Sequence, residues 1–310
     1  MNKKRLLITG VSGLLGSNLA LYWRRTFDIL GFYHSHRVRI EGVATQEADL
    51  LEPKTFAQKI KDFDPGIIVH CAALADVDAC QLNRQAAMDA NATAVRNLAG
   101  FVKDEDIKLV HISTDAVYDG HRGNYREQDP AGPLNIYGET KLLGEAHALT
   151  VPNALVVRTA FYGFNIQRKK CFAERIPEDL AAGRTIQGFS DVVTSSIYTM
   201  DLAELLNVSI EHDLTGIYHV AASDAVSKYD FSCLIARHLG FSGQLIRPAR
   251  AADHSFKAPR PRNLSLNVQK LSSALGKPIV TVEQSVTHFT YDYPHKTEEI
   301  NDERIPSESS

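Results

Sequence analysis

Arg5 to Thr9 form a short apolar run that breaks into Gly10-Val-Ser-Gly13-Leu-Leu-Gly16, and from Gly13 to Arg25 the apolar residues return with helical periodicity. A second apolar run, Phe27 to Tyr33, follows. Strand, glycine-rich turn, helix and strand make a βαβ unit, and this setting gives the glycines a meaning beyond chance. Gly10 allows the tight turn, Gly13 the close approach of a pyrophosphate to backbone, and Gly16 the packing of helix on strand. The anion would sit at the helix N-terminus, where free N–H groups and the helix dipole favour negative charge. Read alone, the motif is also compatible with a purely structural turn.

The alternation continues. Pro53 suits the first position of a helix reaching about Phe63, Ile67 to Cys71 read as a buried strand, Asn83 to Val102 as a long helix, and Ile107 to Ile112 as another strand. A helix from Leu134 to Leu149 begins just after Pro133, and Ala154 to Arg158 form the next strand. This pattern predicts an α/β fold: a Rossmann-type doubly wound parallel sheet. Past Phe161 the alternation weakens. Helices are expected at Cys171 to Ala182 and Met200 to Glu211, a strand at Gly216 to Ala221, a helix opened by Ser227-Lys-Tyr-Asp230 and ending at Leu239, and a last helix from Thr281-Val-Glu-Gln284. The expected organisation is a dinucleotide-binding domain over 1–165 and a smaller C-terminal substrate lobe over 166–295, with elements free to interleave. Residues 296–310, charged and Ser-rich, read as a mobile tail.

Composition excludes some classes. The chain has 310 residues, is 44% hydrophobic and carries a formal net charge of −3. With no block of five or more like charges, it offers no nucleic-acid or anionic-membrane surface. No apolar run approaches the roughly 18 residues of a membrane span, so a cytoplasmic enzyme is the expectation. Cys71, Cys80, Cys171 and Cys233 are scattered without zinc-ligand spacing, and no metal site is expected, the proximity of His34 and His36 notwithstanding.

The chemistry is carried by Tyr137-Gly-Glu-Thr-Lys141. On a helix, positions i and i+4 share a face, which would place the Lys141 charge near the Tyr137 phenol and lower its pKa from the usual value of roughly 10. Such a tyrosine gives a proton to a carbonyl oxygen while hydride reaches the carbon. His111-Ile-Ser113-Thr114-Asp115 ends a strand at the edge where doubly wound folds bind ligands, and a hydroxyl there would polarise the same carbonyl. An acid after the second strand would bind the ribose of NAD, but Tyr33-His34-Ser35-His36-Arg37 has none. NADPH is therefore the expected cofactor, NADH remaining possible, with Arg37 clamping the 2′-phosphate and Arg39 as second candidate. Asp49-Leu50 would contact adenine or cap the next helix. His70-Cys71-Ala72-Ala73 ends a strand in small residues, which lets backbone lie close to a flat cofactor. Asn91 either bonds a neighbouring loop or faces solvent.

These residues resemble the extended short-chain dehydrogenases/reductases, and within them the dTDP-4-dehydrorhamnose reductase group, over about residues 5 to 292. The likeness is carried by Ala72-Ala73 with Val77-Asp78, by the run from Ser113 to Gly120, by Tyr125-Arg-Glu127, and by Tyr137 to Glu145. Arg158-Thr159, Asp201-Leu-Ala203, Gly216-Ile-Tyr-His219 and the segment from Arg260 to Leu266 complete it. The resemblance implies a reductase of a nucleotide-activated 4-keto sugar with Thr114, Tyr137 and Lys141 as catalytic set. It implies that Gly10, Ser12, Gly13, Leu14, Leu15, Gly16, Asp49, Leu50, Cys71, Ala72 and Ala73, together with Tyr137 and Lys141, hold the cofactor. Thr114, Asp115 and Phe161 would touch the sugar nucleotide and Arg260 its nucleotide end.

The group usually has an aromatic where Ala116 stands, a tryptophan near Phe161, Tyr-Thr at Leu74-Ala75 and a glutamate at Gln81. These departures put the sugar's identity in doubt, and the last concerns a metal-linked dimer contact; a homodimer stays open. The chain is also similar to the regulatory β subunit of methionine adenosyltransferase, a binding partner rather than an enzyme. A sugar-nucleotide epimerase retaining NAD is the third alternative.

Overall fold

The computed structural model describes residues 3–167 and 169–303. β1 (Arg5–Thr9) enters the glycine turn and α1 (Leu14–Trp23), followed by β2 (Asp28–Tyr33), β3 (Ala44–Glu47), α2 (Pro53–Phe63) and β4 (Ile67–His70). Next come α3 (Val77–Leu82), α4 (Arg84–Met88), α5 (Ala94–Val102), β5 (Lys108–Ile112), α6 (Ile136–Ala148) and β6 (Leu155–Arg158). The second half contributes β7 (Phe161–Tyr162), α7 (Phe172–Ala181), β8 (Ile186–Phe189), β9 (Val193–Thr194), β10 (Ile197–Tyr198), α8 (Thr199–Glu211) and β11 (Gly216–His219). β12 (Val226–Ser227), α9 (Lys228–His238), β13 (Ile246–Ala249), α10 (Gln269–Leu275) and α11 (Val282–Glu303) complete it.

Seven strands form one sheet in the order β11-β6-β5-β4-β1-β2-β3, every pair parallel. The order reverses between β1 and β4, and a crevice at their carboxyl ends is where such sheets bind ligands. Helices cover both faces, which is why β4, β5 and β6 are buried along their whole length. Side chains alternate between the faces: Leu6, Ile8, Val69 and Val110 enter one core, Leu7, Ile68, Leu109 and Val156 the other. Phe56 is fully buried in the second core, edge-on to Phe101 at 6.0 Å. Truncating it to alanine would cost about 3–5 kcal/mol.

The two halves share structure. β11 closes one edge of the sheet, α8 packs on α1, and one core runs through residues of both halves. The short strands β7, β8, β9, β10, β12 and β13 and the helices α3 and α10 were not expected from the sequence, and three further regions differ from the expectation. The long helix over 83–102 is α4 and α5 joined by a π-helical turn, Asp89–Thr93, at which Asn91 is fully buried. β3 has no apolar run because it is a largely exposed edge strand. The tail expected from 296 begins as helix, since α11 runs to Glu303; 304–310 lie outside the described residues. Among the described residues, no helix is long and apolar enough to cross a membrane.

Candidate active site

The glycine turn is a backbone cradle. Gly10 has φ 68°, and a Cβ on it would lie 2.6 Å from the Ala72 nitrogen. A Cβ on Gly16 would lie 2.3 Å from the Gly10 oxygen, so its close neighbour is the turn itself rather than the strand. Gly13 starts α1 without a side-chain cap, and no acid stands in the first turn. The N–H groups of Leu14, Leu15 and Gly16 therefore meet no competing carboxylate, as an anion site requires. Ser12 is held by its carbonyl, which accepts from Gln167 Nε2 at 2.6 Å. Cys71 follows β4 with its N–H on the Thr9 carbonyl at 3.2 Å, which brings Cys71, Ala72 and Ala73 against the glycine turn. A dinucleotide's pyrophosphate fits this cradle, whose shape any added Cβ at Gly10 or Gly16 would disturb by colliding with the backbone of Ala72 or of Gly10.

Beyond β2, Arg37 is exposed and its guanidinium has no partner among the described residues. Asp49 does not cap α2; its Oδ1 accepts from the Leu51 N–H at 2.8 Å and its Oδ2 lies 3.9 Å from His34 Nε2. A carboxylate absent from the sequence after β2 is thus supplied in space from beyond β3. Leu50 is buried, its carbonyl bonded by Asn97 Nδ2 at 3.0 Å.

At the carboxyl end of β5, Ser113 and Thr114 part company. Ser113 Oγ donates to Glu145 Oε1 at 2.5 Å, and Glu145 is paired with Arg158 at 2.7 Å, all buried. Thr114 instead faces Tyr137: its hydroxyl accepts from the Ala116 N–H at 3.1 Å, reaches Asp115 Oδ1 at 3.2 Å, and lies close enough to the phenol to act on it. Gly138 allows this approach, because a Cβ there would lie 2.2 Å from the Ala116 oxygen. The start of α6 is fixed by Asn135, whose Oδ1 accepts from the Gly138 N–H at 2.9 Å. Asn91 braces the loop before it, with Oδ1 on the Leu74 N–H at 2.9 Å and Nδ2 on Thr140 Oγ1 at 3.1 Å.

The electrostatics correct one expectation. Burial pushes the Tyr137 phenol up to about 12, and the nearby Thr114 hydroxyl is the influence that pulls it down; Asp115 and Cys80 add to the rise. Lys141 makes no hydrogen bond to the phenol among the described residues. Its Nζ donates to the Ile112 carbonyl at 2.7 Å, on the β5 side of α6, and burial lowers its own pKa to about 8. The i and i+4 positions share a face, but a buried lysine goes to the nearest free carbonyl. Its charge and, above all, burial keep the stacked His70 and His111 rings neutral. Burial also raises the Asp115 carboxyl to about 6 against the pull of Thr114 and Lys228.

Thr114, Asp115, Tyr137, Phe161 and Arg260 line one cavity of about 550 Å³. Arg260 Nη2 pairs with Asp78 Oδ2 at 2.9 Å and its guanidinium lies 5.2 Å from the Phe256 ring centre. Its Nη1 is buried without a partner. Asp78 Oδ1 also accepts from the Ala258 N–H at 3.0 Å, and Asn135 Nδ2 donates to the Pro259 carbonyl at 3.0 Å, so the Arg260 segment is strapped over the cavity. Of the departures, Ala75, Ala116 and Phe161 line the cavity, while Gln81 lies outside it and accepts from the Ile136 N–H at 3.3 Å. Phe172, Gln187, Phe189, Thr194 and Lys228 line it too and were not foreseen. Only Lys228 left a trace in the sequence: a lysine in a first helical turn opposes the dipole.

Several known proteins resemble this chain in sequence and fold. A probable low-salt glycan biosynthesis reductase of Haloferax volcanii is 31% identical over 285 residues, covering 90% of this chain and 95% of that protein. Methionine adenosyltransferase 2 subunit beta of Danio rerio is 31% identical, covering 86% and 84%. The crystal structure of dTDP-4-dehydrorhamnose reductase from Bacillus anthracis in complex with NADP superposes with a TM-score of 0.82 at 27% identity, over 94% of this chain and 99% of that one. With the RmlD substrate binding domain matching residues 4–294, the chain belongs to that family.

Proposed function

We propose that this protein is an NADPH-dependent reductase of a nucleotide-activated 4-keto sugar. The observation that carries the reading is that Thr114 and Tyr137 stand together in the wall of one cavity, the threonine close enough to act on the phenol. A phenol that holds its proton up to about 12 is a donor at neutral pH. Thr114 orients the substrate carbonyl and shares the charge that develops on its oxygen. Tyr137 then delivers the proton to that oxygen. Lys141 fixes the end of β5 through the Ile112 carbonyl and lends a buried positive charge beneath the site. Bound NADPH supplies the hydride. The glycine cradle from Gly10 to Gly16 would hold its pyrophosphate, Cys71 to Ala73 would flank it, and Arg37 would take the 2′-phosphate. Phe161 and Asp115 would contact the sugar and Arg260, with one nitrogen left unbonded, the diphosphate side.

Similarity to a methionine adenosyltransferase subunit keeps a binding role as the second reading. A thermal-shift panel of NADPH and NADH crossed with dTDP-, UDP- and GDP-sugars separates the two, since a ligand that binds the native state raises its melting temperature. The reductase reading expects a further rise when a sugar nucleotide joins NADPH. A rise with cofactor alone would favour the binding subunit.

A further inference from the structure

The cavity holds a cation that the reduction itself does not use. Lys228 is the first residue of α9 and lines the same cavity as Thr114 and Tyr137. Its backbone is pinned: the Lys228 N–H donates to the Val192 carbonyl at 2.9 Å, and Ser227 Oγ accepts from the Asp230 N–H at 3.0 Å. The fold therefore sets where the side chain goes. That position is unfavourable for a cation twice over, because it faces the positive end of a helix dipole and is half-buried. Its ammonium has no hydrogen bond or ion pair among the described residues, only the Phe172 ring, whose centre is 5.5 Å away. Across the cavity wall stands Asp115, close enough for each charge to act on the other and yet not in direct ion-pair contact. A cation kept in such a place without a partner has a ligand as its natural counterpart.

We propose that Lys228 is a substrate-binding residue, its ammonium donating to a ring hydroxyl of the keto sugar whose proton Asp115 accepts. A hydroxyl both gives and takes a hydrogen bond, so an acceptor and a donor facing each other read it better than either alone. The inference rests on the reductase reading and assigns the sugar end of the site, whereas Arg260 serves the diphosphate side. Lys228 thus makes α9, from the second half of the chain, a determinant of which sugar is accepted.

The test compares wild type, Lys228→Met and Lys228→Arg by calorimetric titration with dTDP-glucose, UDP-glucose and GDP-mannose, and with free dTDP, UDP, GDP and NADPH. Losing a charged hydrogen bond should weaken the preferred sugar nucleotide by about 10- to 100-fold. The free nucleoside diphosphate and NADPH should stay within about twofold. Lys228→Arg should recover part of the loss, and Lys228→Met should melt no lower than wild type, since it removes a cation from the positive helix end. Equal weakening of free nucleoside diphosphate would assign Lys228 to the diphosphate and overturn the proposal. So would unchanged sugar-nucleotide binding, or a lowered melting temperature as the sole effect. A wild type that binds no sugar nucleotide would instead bring down the reductase reading beneath it.

Discussion

The cofactor cradle and the sugar cavity lie on the same edge of one sheet and are built in opposite ways. From Gly10 to Gly16 the cradle is contiguous backbone, and its neighbours matter for what they lack: a Cβ at Gly10, a cap at Gly13, an acid in the first turn. The cavity is assembled from side chains scattered between Ala75 and Leu264, carried by β5, α6, α9 and the strap around Arg260. Backbone N–H groups bind any pyrophosphate alike, so the first region is generic. Side chains of different size and charge discriminate, so the second decides the substrate. The contrast teaches where a substitution can change the substrate without disturbing the glycine turn.

Substitutions in each region should therefore fail in different ways. The largest effect is expected for Tyr137→Phe, with turnover falling about 10²–10⁴-fold as for a lost general acid and NADPH affinity kept; unchanged turnover with an authentic substrate would break the catalytic half of the comparison. Next is Asp115→Asn, read through pH. The folded carboxyl holds its proton up to about 6 against an ordinary 3.8, so the folded state is favoured while Asp115 is protonated and loses stability as pH rises between those values. At about 1.4 kcal/mol for each tenfold change in proton affinity, the loss approaches roughly 3 kcal/mol above pH 6. Urea unfolding of both proteins from pH 4 to pH 7 should show the asparagine variant gaining on wild type over that window. A pH-independent difference would remove Asp115 from the buried, strained part of the cavity.

On the cofactor side, Gly16→Ala drives a Cβ into the Gly10 carbonyl and should cost about 1–3 kcal/mol of stability together with cofactor binding. A variant as stable as wild type would mean the turn gives way, and the cradle is less rigid than described. The smallest effect is expected for the exposed Arg37→Ala, about tenfold weaker NADPH with NADH little changed. Equal losses for both would return Arg37 to the solvated surface and make Arg39 the next residue to test.

What the sequence disclosed follows the same division. β1, β4, β5 and β6 are largely apolar because both their faces are covered, and the turn needs its glycines, so both announce themselves. β7, β9, β10 and β12 are two residues long, too short for any periodicity, and β3 is an exposed edge with nothing apolar to repeat. Tyr137 and Lys141 were visible as a spacing, but which acceptor the lysine would take was not, since a phenol and the Ile112 carbonyl are both within a long side chain's reach. Asn91 was ambiguous for a related reason: the π-helical turn that aims it at Leu74 has no signature in residue type. Lys228 was legible only as a misplaced charge.

The claim on which the account turns is that hydride reaches a sugar carbon in this cavity. Incubating the protein with NADPH deuterated at the transferable position of the nicotinamide, together with dTDP-, UDP- and GDP-linked 4-keto-6-deoxyhexoses, tests it directly by mass spectrometry of the sugar product. The account predicts deuterium at the former carbonyl carbon with one of these substrates, and its loss in Tyr137→Phe. Bound NADPH with no deuterium in any sugar would contradict it.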